Sequence, residues 1–320
     1  MNPFVFVVGC ARSGTTLLKR VLNAHPRLAI TKETHWIPVV YRERVGLTPE
    51  GFVTPALVDK LFEDWRFSRL EIGRADVEGL LGDGAPVTYA RFVSGLFDLY
   101  GRAQGKLLVG DKTPIYGMEI ELLHSLWPGA RFVHLIRDGR DVCLSVLNWQ
   151  RRDGGTGLGE DFATWADDPV GTTAVWWTWR VGRTRAGGQP LGPELYYELR
   201  YEAFVNRPAE ECAKLCAFLG VPYDDVMLRF HEEHTKAAKP GASSKKAWLP
   251  ITPGLRDWRT QMPAEDRELF EAAAGDLLDE LGYPRGGPGP RREAQEHAAR
   301  VRELFTKNLR ARSKALPDLS

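Results

Sequence analysis

No apolar run in this chain approaches the roughly 20 residues that cross a bilayer, so nothing in it reads as a membrane span. Net charge is almost absent: 43 Lys and Arg against 42 Asp and Glu leave +1. No global field draws in nucleic acid or a membrane surface, and any basic site must be local. Cysteine is scarce, with four residues at Cys10, Cys143, Cys212 and Cys216. None stands with His at zinc spacing, so the expectation is free thiols in a reducing compartment and no bound metal. The N-terminus enters a strand pattern at once, without a basic n-region or a signal-length apolar segment, and the expected compartment is the cytoplasm. No internal repeat is visible. What remains is an ordinary globular balance of 43% hydrophobic and 27% charged residues over 320 positions, enough for one large α/β domain or two small ones.

The densest signal is Phe4-Val-Phe-Val-Val-Gly-Cys-Ala-Arg-Ser-Gly-Thr-Thr-Leu-Leu18. An apolar run of strand length meets a turn with Gly9 and Gly14, and a helical period follows through Leu17, Leu18, Val21 and Leu22. Strand, glycine turn and helix aim backbone N–H groups and a positive helix end at a phosphate. The spacing from Gly9 to Gly14 matches the start of a P-loop, but Thr15 stands where a Walker motif has Lys. The cation is Arg12, inside the turn. Such a loop should hold a phosphate other than the β,γ-phosphates of ATP.

Further strand exits carry polar groups, where open parallel sheets present their chemistry. Leu28-Ala-Ile30 leads to Lys32, Glu33 and His35, and Lys106 to Val109 leads to Lys112. Ala130 to Ile136 ends at Arg137-Asp-Gly-Arg-Asp141, with Ser145 about two turns into the next helix. Arg137 with forked charged donors and Ser145 with a short neutral one suit a second phosphate. His134, inside that strand, reads as a hydrogen-bonded core residue. Residues 41–102 are broken helical patterns, read as an insertion over the sheet edge and substrate mouth, with Phe62, Trp65, Phe67, Phe92, Phe97 and Tyr100 as packing. Residues 151–170, rich in Gly and Asp, read as a mobile loop. Glu194 to Glu202 alternates as a strand. Ser243-Ser-Lys-Lys246 reads as a basic loop able to close over a polyanion. Helical patterns cover Pro208–Leu219 and Ala264–Leu281. The whole predicts an α/β fold: a P-loop-like open parallel sheet flanked by helices, in a domain of residues 1–284 with a helical insertion at about 41–105. A linker and a basic C-terminal helix would occupy 285–320. The stripe Ala298, Val301, Leu304 and Phe305 on that helix can pack on its own domain or on a second copy.

The pair Arg12-Ser-Gly-Thr-Thr16 and Ile136-Arg-Asp-Gly-Arg-Asp-Val142, with Ala24-His-Pro26 and Glu33-Thr-His-Trp-Ile-Pro38 between, resembles the sulfotransferases that use 3′-phosphoadenosine 5′-phosphosulfate (PAPS). Within them it is most similar to the tyrosylprotein sulfotransferase branch and its bacterial relatives. The resemblance implies the sulfotransferase fold and PAPS as co-substrate, with no metal. It assigns Arg12, Ser13, Gly14, Thr15 and Thr16 to the 5′-phosphosulfate, and Arg137 and Ser145 to the 3′-phosphate. Tyr201 falls on the cofactor side, and Lys245, with Ser244 and Lys246, on a loosely matched basic loop. Glu33 becomes general base on the acceptor hydroxyl, with His35 as the second candidate. Lys112 and Arg12 would stabilise charge on the transferring group. The acceptor would be a small molecule, glycan or peptide. Two other readings compete: a P-loop nucleotide kinase without the Walker lysine, and a non-catalytic nucleotide-binding protein.

Overall fold

Strand β1, Val5–Gly9, is buried on both faces, which is why it reads as an unbroken apolar run. The computed structural model describes residues 2–82, 84–153, 158, 162–232 and 249–315. β1 pairs in parallel with β3 (Leu108–Lys112) on one side and β4 (Arg131–Ile136) on the other. β2 (Leu28–Thr31) and β5 (Tyr196–Arg200) complete an all-parallel sheet of order β2-β3-β1-β4-β5. The fold is therefore the expected α/β arrangement. The order changes direction at β1, so its C-terminal end is the topological switch point where such sheets bind ligands.

Helices of eight residues or more, among the described residues, are α1 (Thr15–Ala24), α2 (Trp36–Glu43), α3 (Pro55–Glu63), α4 (Tyr89–Ala103), α5 (Gly139–Asp153), α6 (Pro169–Gly188), α7 (Pro208–Leu219), α8 (Ala264–Glu280) and α9 (Arg292–Ala315). Side chains alternate across β1. Phe6 and Val8 join a cluster with Leu57 and Leu61 of α3, Phe92 and Phe97 of α4, and Tyr116, Ile120 and Trp127; the inserted helices meet the sheet at β3, while Pro114–Glu119 lies against β1. Phe6 stacks on Phe132 of β4, with ring centroids 5.4 Å apart. Val5 and Val7 face α1 and α7 on the other side.

Two readings need correction. The segment 151–170 is not one loop: α5 runs on to Asp153, and Leu158, Phe162 and Trp165 are buried in a core cluster with α6 and α8. Glycine and aspartate set the local impression, while three large apolar side chains set the outcome. Trp65 is not core packing either; it is 58% exposed. Helix α9 lies against α8 and α6, with Ala298, Val301 and Phe305 buried in that cluster and Phe305 stacked on Phe162 at 4.4 Å. His297 shares a 2.7 Å hydrogen bond with Asp168, whose other oxygen caps α6 by accepting from Gly171 N–H. Three of the four stripe residues are thus covered by their own chain, while Leu304 stays 50% exposed.

Candidate active site

The C-terminal ends of all five strands carry the predicted polar groups. In spatial order they are Glu33 after β2, Lys112 at the end of β3, the Arg12–Thr16 turn after β1, Arg137 after β4 and Tyr201 after β5. From β2 to β4 the row covers about 14 Å, three inter-strand spacings.

The turn after β1 is shaped by backbone strain. Gly9, Arg12 and Gly14 all have positive φ, at 149°, 72° and 97°. At Gly14 a side chain is excluded twice: by φ, and because a Cβ would lie 2.6 Å from the Tyr201 ring. Leu17 and Leu18 N–H both reach the Gly14 carbonyl, closing the first turn of α1. The N–H groups of Thr15 and Thr16 precede any intrahelical acceptor and point out of the helix end. Ser13 is buried, and its Oγ has no hydrogen-bond partner. A buried hydroxyl left unpaired is costly unless something else binds it. An anion seated on this helix end would supply that partner.

On the β2–β3 side, register sets the geometry. Thr31 pairs with Asp111, so the chain segments that follow emerge side by side. Lys112, the last residue of β3 and 4% exposed, forms a close ion pair with Glu33 Oε1, while His35 Nε2 lies 3.1 Å from Glu33 Oε2. Burial pushes the Glu33 carboxyl up, but the His35 hydrogen bond and the Lys112 charge outweigh it and hold the group at about 2. The loop is anchored from beneath. Thr34 N–H donates to Thr113 Oγ1, and the Tyr116 hydroxyl meets Thr34 Oγ1 at 2.8 Å and accepts from Ile37 N–H. Asp111, fully buried and accepting from Thr31 Oγ1 at 2.9 Å, is pushed up to about 6 by desolvation, against the pull of its threonine partners and Lys112.

On the β4 side, Arg137 is 7% exposed, with its guanidinium 4.3 Å over the Tyr201 ring and 3.4 Å from Asp141. Its Nε has no partner. Arg12 Nε donates to Ser145 Oγ at 3.1 Å, which ties the first turn to the second anion site. The Tyr201 ring, in contact with both Gly14 and Arg137, is the wall between them. His134 is the core residue expected: its Nδ1 meets the Tyr196 hydroxyl at 2.6 Å, and burial lowers it to about 3.

Two residues escaped the sequence reading. Arg256 feels the charge of both Arg137 and Arg12, and its pKa is lowered first by burial and then by those two; its Nε also lacks a partner. It is placed by the chain beside it, where Trp258 N–H donates to Asp141 Oδ1 at 2.9 Å. Trp258 in turn stacks on Arg140, 3.5 Å from its ring centre. Lys19 on α1 is lowered to about 8 by burial and then by Lys112, Lys32 and Arg20. Its spacing of four from Thr15, on the same helix face, was the available signal. Lys245, Ser244 and Lys246 lie outside the described residues. Among the described residues no group of three His, Cys, Asp or Glu is placed to hold a metal.

These features fit a ligand with two anionic groups. Three buried polar atoms lack partners here: Ser13 Oγ in the glycine turn, Arg137 Nε after β4, and Nε of Arg256, which feels the charges of both Arg137 and Arg12.

The model of a family described as "Sulfotransferase family" matches residues 3–225. Among curated proteins, protein-tyrosine sulfotransferase A of Caenorhabditis elegans is 25% identical over 96% of this chain and 74% of its own length. Nodulation protein NoeE of Sinorhizobium fredii is 27% identical over 87% of this chain and 65% of its own. The chain spans 52% of a Drosophila melanogaster protein-tyrosine sulfotransferase. Among solved structures, the sulfotransferase domain from the curacin biosynthetic pathway covers 89% of this chain and 99% of its own at TM-score 0.57 and 21% identity. The domain from the Synechococcus PCC 7002 olefin synthase covers 88% and 95% at TM-score 0.56 and 22% identity. At such identities the structures speak for the fold alone.

Proposed function

The chain belongs to the sulfotransferase family, enzymes of sulfuryl transfer, and from that premise we propose that it moves the sulfuryl group of PAPS to a hydroxyl acceptor, with Glu33 as general base. The observation that carries the reading is the double anion cradle: the glycine turn and the Arg137 pocket share one wall, Tyr201, and one link, Arg12 to Ser145. A nucleotide phosphorylated at both 5′ and 3′ positions matches such a pair.

Bound PAPS would supply the sulfuryl group and an adenosine bisphosphate leaving group. Arg12, Ser13, Gly14, Thr15 and Thr16 would hold its 5′ end through backbone donors and the α1 dipole. Arg137, Ser145 and Arg256 would hold the 3′-phosphate. The transfer needs positioning and charge stabilisation more than covalent help, by analogy with phosphoryl transfer. Lys112 is buried and fixed, so its charge acts with little reorganisation. Glu33 holds the proton that the acceptor hydroxyl gives up. With Lys112 and His35 both on it, Glu33 is a weak base. An anion that draws on the Lys112 charge raises Glu33 toward the range where bases work.

The kinase reading suffers from Thr15 in place of the Walker lysine. The non-catalytic reading leaves the Glu33–Lys112 pair without a task. Thermal denaturation separates the PAPS and kinase readings, and a transfer assay separates the non-catalytic one. Adenosine 3′,5′-bisphosphate at a hundredfold excess over its Kd should add about 2.7 kcal/mol, or roughly 4 °C in Tm for a chain of this length, and ATP with magnesium much less. Equal shifts would refute the PAPS reading. Bisphosphate binding without sulfuryl transfer to any alcohol or phenol would favour the non-catalytic one.

A further inference from the structure

Three lysines meet where α1 passes the ends of β2 and β3, and only Lys112 among them has a counter-charge. Asn23 sets the register. Its side chain bonds both the N–H and the carbonyl of Ile30, which lays the Asn23 face of α1 along β2. Lys19 stands one turn nearer the start of α1 on that face. Four helical residues rise about 6 Å and two strand residues about 6.6 Å, so Lys19 comes level with Lys32, two residues beyond Ile30. Thr31 pairs with Asp111, which puts Lys32 beside Lys112. Alternation then decides the face. Val5, Val7 and Ile30 pack with Leu18, Val21 and Leu22 of α1, and Val7 is paired with Lys112. Lys112 and Lys32 therefore share the face of the sheet on which α1 lies. Asp111 belongs to the other face, where Thr31 Oγ1 donates to it.

The charge gathered here is unbalanced. Glu33 is taken up by Lys112 and His35. Among the described residues no carboxylate pairs with Lys19 or Lys32. Burial, then the charges of Lys112, Lys32 and Arg20, hold Lys19 at about 8, against the pull of Asp111. The other flank of α1 meets Asp225–Arg229, which brings one charge of each sign. Ammonium groups brought together in this way repel one another until an anion joins them. The place for one is close. Helix side chains lean toward the helix start, so Lys19 reaches up to the level of Thr15 and the turn where Ser13 Oγ is buried without a partner.

Resting on the sulfotransferase assignment, we infer that Lys19 is a further cofactor-binding residue, whose ammonium group holds the 5′-phosphate end of the nucleotide from the β2 side of the glycine turn. Arg12 and Arg137 grip the ligand from the β4 side, and Lys19 closes the cradle on the flank they leave open.

Calorimetric titration of adenosine 3′,5′-bisphosphate and adenosine 3′-phosphate into wild type, Lys19→Met and Lys19→Arg tests this. At pH 7.5 Lys19→Met should weaken the bisphosphate about 10-fold, the weight of a charge-assisted hydrogen bond, and the 3′-phosphate by no more than about twofold. Between pH 7.5 and 9.5 the wild type should lose about fivefold in bisphosphate affinity, because the free lysine discharges over that range and the bound one does not. Lys19→Arg stays charged, so it should bind near wild type at pH 7.5 and keep its affinity to pH 9.5. A lysine needed only for packing would leave the pH profile unmoved by that change. Full bisphosphate affinity in Lys19→Met, equal loss of both ligands, or a fall with pH that persists in Lys19→Arg overturns the inference. If Lys19→Met does not fold, the Lys19→Arg profile decides alone. A wild type that binds no bisphosphate refutes the PAPS reading itself, and the inference with it.

Discussion

Arg256 offers the sharpest test, because the structure assigns opposite signs to its effect on folding and on binding. It sits among Arg137 and Arg12, partly buried, with an Nε that nothing satisfies. Both conditions cost stability in the ligand-free protein: like charges repel, and burial disfavours the charged form. Arg256→Met keeps the apolar stem and removes the charge. The free protein should then keep its Tm or gain slightly. Binding should move the other way. A charge-assisted hydrogen bond to a phosphate is worth about 1.5–3 kcal/mol, so affinity for adenosine 3′,5′-bisphosphate should fall about 10- to 100-fold. Adenosine 5′-phosphosulfate, which lacks the 3′ group, should lose no more than about twofold. Calorimetric titration of both ligands against both proteins, beside a denaturation curve, reads all the terms. A variant that loses stability while both ligands weaken equally would make Arg256 a structural residue and defeat the assignment of the 3′ pocket.

Glu33→Gln should leave bisphosphate affinity within about twofold and lower kcat by about 10²- to 10⁴-fold in an assay with labelled PAPS; activity near wild type would move the base to His35. The same variant has a pH signature. Because the folded-state Glu33 sits at about 2, below its ordinary value of 4.5, its stabilisation is present above pH 4.5 and is lost as pH falls toward 2, so acid unfolding curves of wild type and variant should converge there. Gly14→Ala puts a methyl group against the Tyr201 ring at a φ that L-residues avoid. It should cost about 1–3 kcal/mol in denaturant unfolding and abolish the bisphosphate thermal shift; an unchanged shift would show that the turn is not the phosphate cradle.

Strand ends were legible because each apolar run stops at a polar cluster, and a parallel sheet puts all such clusters on one edge. That is enough to gather Arg12, Glu33, Lys112, Arg137 and Tyr201 without knowing the strand order. Arg256 was not legible. It belongs to a segment with no period of its own, held in place by a hydrogen bond from Trp258 to Asp141, 117 residues away in sequence. Lys19 was hidden for a different reason: a lysine on an amphipathic helix reads as solvated, and only the packing of α1 on β2 and β3 brings it to Lys112. The Glu33–His35 contact, by contrast, is local, but it needs a positive φ of 58° at His35 that nothing in the residue type announces.

Helix α9 has a bearing on handling that its distance from the chemistry conceals. Phe305 and Val301 share a cluster with Trp258 and Phe270, and Trp258 braces the backbone that presents Arg256. A protein trimmed before residue 292 to tidy its tail would expose that cluster to water and slacken the 3′ pocket, so loss of nucleotide affinity in a shortened form would say little about which residues touch the ligand.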